Sequence, residues 1–290
     1  MNIKMNKEHI HTLVIPDVHG RSFWKSAIEQ FPKKEFPKLR IVFLGDYLDP
    51  YDFEGITRKQ AIDNFQDIID TSKKDKRIRL LFGNHDMHYW YDAEYKSRVD
   101  SKNYNIIKDK FLQNFTLFNL AYEEKIDGVK YLYTHAGVTS FWLDHLHFVG
   151  QNCLNRNKEY RYDLKGNQIK KLPDERIPFC RMLKNMTLSA RKLNKMKLDF
   201  QGQANIWMCS WLRGGDSDCG SCIWADFQER SYKNSAPDTK GIWQIFGHSL
   251  VAGGLDEGVI DHQKRIAMLD ARQAWVIDYE GEIKKLKEIL

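Results

Sequence analysis

Five apolar runs of this chain end in side chains able to bind a metal ion. VIPDVHG ends in Asp17 and His19, FLGD in Asp46, and LFGNHD in Asn84, His85 and Asp86, while LYTHAG ends in His135 and IFGHS in His248. Asp49 follows Asp46 by three residues, so two acids arrive together where each raises the cost of ionising the other. In extended chain, residues i and i+2 point the same way, so Asp17 and His19 can grip one ion as a pair. Asp46 comes 29 residues after Asp17, about one βαβ repeat. It should emerge beside that pair, where its two oxygens can bridge two cations. Asn84, His135 and His248 offer a second ion a carbonyl oxygen and two imidazoles. Two divalent ions roughly 3.5–4 Å apart form a clamp for in-line displacement at phosphorus, and they favour the ionised form of crowded acids. Each piece alone has a plainer reading: DVHG and GNHD as turns, THAG and FGHS as histidines satisfied at a strand end. The chemistry lies in the set, in this order, each member directly after an apolar run.

The elements that must position these groups are also legible. HTLVIPD, RIVFLGD, RIRLLFGNHD and VKYLYTHAG read as strands, and GIWQIFGHS, KRIAMLD and AWVIDY as later ones. RSFWKSAIEQF is a candidate helix, and ITRKQAIDNFQDIIDTSKK places Ile56, Ile62, Phe65, Ile68 and Ile69 on one helical face. Strands separated by helices predict crossover units in a largely parallel α/β sheet, and in such sheets ligand sites form beyond the carboxyl ends of the strands. The simplest architecture for this order is two layers of sheet flanked by helices. Residues 1–290 are expected to form one domain, with a charged insertion or lid at about 141–200 that is helical through FCRMLKNMTLSARKLNKMK.

At 290 residues, with 42% hydrophobic and 29% charged residues, the chain can bury a full core. No run approaches eighteen apolar residues, which argues against a membrane span, and the N-terminal stretch reads as a first strand, so the expected compartment is the cytoplasm. The net charge of +6 is uneven: residues 155–200 hold 13 Lys and Arg against 5 Asp and Glu. That basic segment could attract a phosphorylated partner or be a solvated surface. Five cysteines, Cys153, Cys180, Cys209, Cys219 and Cys222, are too sparse for a disulfide framework. They are expected to be reduced thiols; zinc or redox use of Cys219 and Cys222, with Cys209 as third partner, is the alternative. The HxH pairs His9/His11 and His145/His147 are expected to pack, with His147 a candidate for the cleft; Tyr47, Tyr51, Tyr89 and Trp90 adjoin the motifs and could shape a pocket.

The ordered set, from Pro16 to Ser249, resembles the calcineurin-like metallophosphoesterases, most closely their phosphoprotein-phosphatase branch of serine/threonine phosphatases and diadenosine tetraphosphatase-like enzymes. The resemblance implies a four-layer αββα sandwich and a binuclear centre of Mn, Fe or Zn. Asp17, His19 and Asp46 would hold one metal, and Asp46, Asn84, His135 and His248 the other. His85 would be the general acid, paired with Asp49. Pro16 stands where the pattern has Gly, Asp86 where it has Glu, and Pro50-Tyr51 where it has Arg-Gly. The missing arginine would clamp the phosphoryl oxygens; Arg213 of WLRGG, or Arg21 of DVHGR, is the expected substitute.

The expected function is therefore hydrolysis of phosphate monoesters by metal-activated hydroxide, with two divalent ions, Mn²⁺ first. The substrate would be a phosphoprotein, a nucleotide or a nucleic acid. Alternatives are a dinucleoside polyphosphate hydrolase, a nucleic-acid phosphatase or phosphodiesterase, and a metal-free binding scaffold. The scaffold is disfavoured because every ligand position is chemically competent.

Overall fold

The structure is a computed structural model and describes residues 7–90, 96–156, 161–162, 168–169, 176–199, 205–231, 241–249 and 257–289. The chain runs β1 (Ile10–Ile15), α1 (Phe23–Glu29), β2 (Arg40–Phe43), α2 (Arg58–Lys74), β3 (Ile78–Leu81), α3 (Asn84–Trp90) and α4 (Tyr104–Gln113). Then come β4 (Phe118–Asn119), β5 (Ala121–Ile126), β6 (Val129–Thr134), α5 (Ser140–Arg156), β7 (Arg161–Tyr162), β8 (Gln168–Ile169), α6 (Ile177–Lys184) and α7 (Ala190–Leu198). The chain closes with β9 (Ile242–Phe246), β10 (Val259–Asp261), β11 (Ile266–Met268), β12 (Trp275–Asp278) and β13 (Ile283–Lys285).

One sheet has the order β13-β12-β1-β2-β3-β4 and the other β10-β11-β9-β6-β5; β7 and β8 pair separately. β1 to β4 are parallel, as are β6, β9 and β11. β12 and β13 join the first sheet antiparallel, and β5 and β10 flank the second in the same way. The expected largely parallel sheet is thus two mixed sheets, each with a parallel centre. The chain changes its pattern at an Asp127-Gly128 turn, where both residues have positive φ; this two-residue connection makes a hairpin of β5 and β6.

Strand alternation explains the layering. Leu13, Ile15, Ile41, Phe43 and Leu80 belong to a cluster shared with Ala27, Phe31, Phe65, Ile68, Ile69 and Phe111 of the helical side. Their neighbours Val14, Val42 and Leu81 belong to a second cluster with Tyr131, Tyr133, Trp243 and Ile245 of the other sheet. A sheet apolar on both faces must be covered on both, and here helices cover one face and the second sheet the other. The result is a mixed α/β sandwich of two packed sheets, the two-layer arrangement expected from the sequence.

Local signals set the helix boundaries. Thr57 caps α2 in a reciprocal box with Gln60: the Gln60 amide donates to Thr57 Oγ1 at 3.2 Å and the Thr57 amide to Gln60 Oε1 at 2.9 Å. The single helix expected over 179–197 is two, α6 and α7. Ser189 is extended between them, and Asn194 of α7 ties the helix to the second sheet through the Leu120 and Ala121 amides. The basic segment 155–200 lies partly outside the described residues.

Cys153 of α5 and Cys180 of α6 form a disulfide, which corrects the expectation of five reduced thiols. Neither a spacing of 27 residues nor any local motif announces the pair; the packing of α5 on α6 brings it together. Such bonds persist mainly in oxidising compartments, which runs against the expected cytoplasmic placement. Cys209, Cys219 and Cys222 are free and buried. Burial pushes the Cys209 thiol up to about 11 and those of Cys219 and Cys222 to about 12, which leaves them protonated and unreactive near neutrality, and among the described residues none of the three belongs to a cluster able to hold a metal ion. Among the described residues no helix is long and apolar enough to cross a membrane.

Candidate active site

The carboxyl ends of β1, β2 and β3 in one sheet, and of β6 and β9 in the other, meet at a single edge. Asp17, His19, Asp46, Asn84, His85 and His135 are all buried there, with His248 half-buried beside them. Three sets of donor atoms each lie within 4.8 Å of one another: His19, Asp46 and His85; Asp46, His135 and His248; and Asp49, His85 and His88. Asp46 belongs to the first two, His85 to the first and third, and Asp17 to none.

The backbone reaches this arrangement under strain. His19, Asp46, Asp49, Arg98 and His248 all have φ between 43° and 70°, and only Asp127 and Arg265 share that left-handed region among the other described non-glycine residues. A non-glycine residue there is held by its surroundings at some energetic cost. Asp17 and His19 therefore do not meet along an extended strand, as the spacing suggested; a left-handed turn after Asp17 brings His19 Nε2 to 3.5 Å from Asp46 Oδ2. Asn84 and His85 also differ from their sequence reading, since they open α3 rather than end β3. Two glycines make room for the carboxylates: a Cβ on Gly83 would overlap Asp46, and one on Gly247 would overlap Asp17.

The orientation of each imidazole is fixed from behind. His19 Nδ1 bonds the Leu48 carbonyl and His135 Nδ1 the Leu44 carbonyl, both at 2.9 Å. Each ring thus donates its Nδ1 proton to the backbone and turns a lone pair on Nε2 toward the cleft. His135 Nε2 faces Asn84 Oδ1 at 2.9 Å, His248 Nδ1 at 3.1 Å and Asp46 Oδ2 at 3.5 Å. These are lone pairs converging on lone pairs, an arrangement that a cation relieves. His248 Nε2 is itself buried with no hydrogen-bonding partner among the described residues, and the whole donor set suits a divalent ion.

Asp17 accepts the His248 amide on both carboxylate oxygens at 3.1 Å. Burial, with the Asp46 charge adding to it, pushes the Asp17 carboxyl up to about 6 although His135 opposes the rise. Burial also raises Asp46, but His135, His85 and His19 outweigh it and hold that carboxyl below the ordinary range. His19 is lowered to about 3 by burial, and His248 well below its usual value by burial and then Arg213. Near neutrality both rings are uncharged and able to ligate.

These shifts give a pH dependence. In the cation-free protein, Asp17 titrates higher folded than unfolded, so its contribution to stability is present below about pH 4 and lost as pH rises through about 6. A cation held by Asp17 would compete with that proton. The rise in Tm produced by saturating Mn²⁺ is therefore expected to grow from pH 5 to pH 7 and then level off. A shift independent of pH over that interval, measured by thermal denaturation with and without Mn²⁺, would contradict this account of Asp17.

Next to these candidate ligands, four groups converge on Asp49. His85 Nδ1 lies 3.0 Å from Oδ2, His88 Nε2 2.8 Å from the same oxygen, Arg58 Nη1 3.4 Å from Oδ1, and the Tyr89 hydroxyl donates to Oδ1. Burial raises the Asp49 carboxyl, but the hydrogen bonds from His85 and His88 prevail and hold it below the usual carboxylate range. His85 Nε2 is left facing outward, where Arg98 Nη2 lies 3.2 Å away.

Asp86 braces the loops beneath. Its Oδ2 accepts the Asp46 and Gly83 amides, each at 2.8 Å, and Oδ1 the Tyr47 amide at 2.9 Å. Asp86→Ala would leave three buried amides unsatisfied and is expected to cost on the order of 3 kcal/mol or more. Urea denaturation of the cation-free protein checks this; a loss below about 1 kcal/mol would show that the brace carries little.

The two arginines expected near substrate are placed differently. Arg213 lies at the site, its Nη2 donating to Ser249 Oγ and approaching the His248 carbonyl at 3.5 Å, its Nε paired with Asp226. Arg21 is held by Glu54 at 3.0 Å and by the Asp17 carbonyl at 3.0 Å. The other histidines have plain partners: His145 Nε2 bonds Asn205 Oδ1, His147 Nε2 bonds the Met186 carbonyl, and His11 Nδ1 lies against Thr12 Oγ1. His9 faces Glu280 at the surface. Tyr47 is core, its hydroxyl on the Leu81 carbonyl; Trp90 stacks on Phe82 and Phe115. Sequence reasoning missed His88 and Arg98. His88 had a signal, because HDMH puts it three residues after His85 and hence on the same face of a helix.

A sandwich of this kind, with carboxylates and imidazoles converging where its strands end, defines a metal-dependent phosphoric ester hydrolase. The family model for calcineurin-like phosphoesterases matches residues 10–180, and the chain belongs to that family, whose members use divalent metal ions. Among solved structures the chain is similar to a serine/threonine phosphatase from Saccharomyces cerevisiae that resembles human phosphatase PP5. Identity is 14%, coverage 96% of this chain and 80% of the other, and the TM-score 0.43. It is also similar to a proposed diadenosine tetraphosphatase, with 13% identity, coverage of 97% and 95%, and a TM-score of 0.40. At these TM-scores neither likeness bears on substrate. A search of curated protein sequences returns no match.

Proposed function

We propose that this chain is a binuclear metallophosphatase that hydrolyses phosphate monoesters, of the serine/threonine-protein-phosphatase kind that its motifs resemble. The observation that supports it best is the sharing of Asp46 between two sets of donors, because a carboxylate with two oxygens can serve two cations at once. Asp17, His19 and Asp46 would hold one ion, and Asp46, Asn84, His135 and His248 the other, with Mn²⁺ the first choice for oxygen and imidazole donors. Divalent ions bound there would lower the pKa of water and offset charge developing at phosphorus.

The protein's own groups supply the rest. His85, oriented by Asp49 through Nδ1, presents Nε2 to the cleft and, once protonated there from solvent, delivers that proton to the departing oxygen. Arg213, beside His248, offers guanidinium N–H groups to the phosphoryl oxygens. Burial of the donors keeps bulk water from screening these charges. The experiment is to purify the protein, measure its metal content, and assay an aryl phosphate, a phosphopeptide, diadenosine tetraphosphate and 5′-phosphorylated RNA with Mn²⁺. About two ions per chain, with preference for the phosphopeptide over the nucleotides, is expected. A metal-free protein inactive on all four substrates overturns the reading, and preference for the tetraphosphate redirects it to dinucleoside polyphosphates.

A further inference from the structure

Four arginines around and behind the cleft each meet a carboxylate. Arg21 and Arg272 share Glu54, Arg58 reaches Asp49, and Arg213 pairs with Asp226. Among the described residues, Arg98 meets none. Its Nε donates to the Asp49 carbonyl at 3.1 Å, its Nη2 rests 3.2 Å from His85 Nε2, and its guanidinium lies 3.8 Å above the centre of the Tyr51 ring. The chain holds Arg98 at φ 53° to put it there, in the region that non-glycine residues enter at a cost. Tyr51 in turn packs edge-on against His19, ring centres 5.1 Å apart, so the stack stands directly over the donors of the cleft.

We propose that Arg98 is the phosphoryl-binding arginine of this site, with Tyr51 as the platform that aims it. Pro50 and Tyr51 follow Asp49 directly and supply no cation; Tyr51 instead supplies a ring face, and the cation arrives from a segment some fifty residues later. A half-buried guanidinium with no carboxylate is matched by an anion that brings its own charge. A phosphoryl group, planar in its oxygen pairs, suits the guanidinium fork. When substrate enters, the guanidinium exchanges His85 Nε2 for phosphoryl oxygens, which frees that nitrogen to take up a proton from solvent and pass it to the leaving oxygen. Arg213 binds from the His248 side and Arg98 from the His85 side, so the phosphoryl is gripped across the cleft.

This inference rests on the phosphatase reading, and the test separates the two. The Mn²⁺-loaded protein and its Arg98→Ala, Arg98→Lys and Arg98→Gly variants would be compared in KM and kcat for an aryl phosphate and in the affinity for inorganic phosphate by calorimetry. Removing a charge-assisted pair is expected to weaken phosphate binding about 10- to 100-fold and to raise KM in parallel. Arg98→Lys, which keeps the charge and loses the fork, should fall between. Arg98→Gly relieves the left-handed backbone, so it should fold at least as well as the parent and still bind phosphate weakly; it carries the test if the alanine variant is unstable. Tyr51→Leu should weaken phosphate binding less than loss of Arg98. If the parent hydrolyses the ester while Arg98→Gly and Arg98→Lys keep KM and phosphate affinity within about twofold, Arg98 has no such role and the phosphatase reading stands. If the parent hydrolyses no phosphate ester, the reading itself fails first.

Discussion

Asp46→Asn is expected to lower kcat/KM by about a thousandfold or more and to leave the protein short of both metal ions. Asp46 lies in two of the donor sets, so its loss weakens both at once, and several kcal/mol of charge stabilisation at phosphorus correspond to three or more decades of rate. Asparagine is the informative replacement. Asp46 Oδ1 accepts the His85 amide at 2.9 Å, and an amide oxygen can keep that bond, so the loops should stay in place while the bridging charge disappears. Metal analysis and kinetics on an aryl phosphate read the two effects separately. A variant that retains two ions and turns over at the parent rate would sink the shared-carboxylate account.

His85→Asn should lower kcat by about 10²–10⁴-fold. The loss should depend on the leaving group. A nitrophenolate departs with little help, whereas the alkoxide of a phosphoserine peptide needs a proton, so the defect should be larger for the peptide. The geometry behind this is specific: Asp49 holds Nδ1 at 3.0 Å and Nε2 is the nitrogen that faces out. Equal losses on both substrates would mean that His85 positions rather than protonates.

The candidate metal site was legible because it is written in runs: four to six apolar residues that stop at Asp, Asn or His with a glycine nearby. Such a pattern survives without knowledge of tertiary structure, since the strand supplies the direction and the polar residue can only emerge at its end. The seven strands that were expected are all present. The short β4, β10 and β13 were not read because two or three residues carry no periodicity, and β5, AYEEKI, is too polar to stand out. The Asp127-Gly128 turn that makes its hairpin was a usable signal left unread. The antiparallel edges could not be inferred, because the apolar alternation of a strand says which faces are covered but not which neighbour it has.

Within the site, the residues hardest to foresee act by position. Asp86 looks like a fourth acid but accepts three amides. Arg98 sits in YKSRVD, a segment without helical or strand pattern, and its role depends on a left-handed backbone that no sequence signal marks. The Cys153–Cys180 bond likewise follows from helix packing alone.

The donors are divided between the two sheets: Asp17, His19, Asp46 and Asn84 come from the first, His135 and His248 from the second. The His135 imidazole already reaches the Leu44 carbonyl across that division. A cation shared by Asp46 and His135 would therefore act as a cross-link between the early and late parts of the chain. Chelation would then take away a rivet as well as a reagent, and prying the sheets apart at this seam would silence the enzyme before any helix had melted.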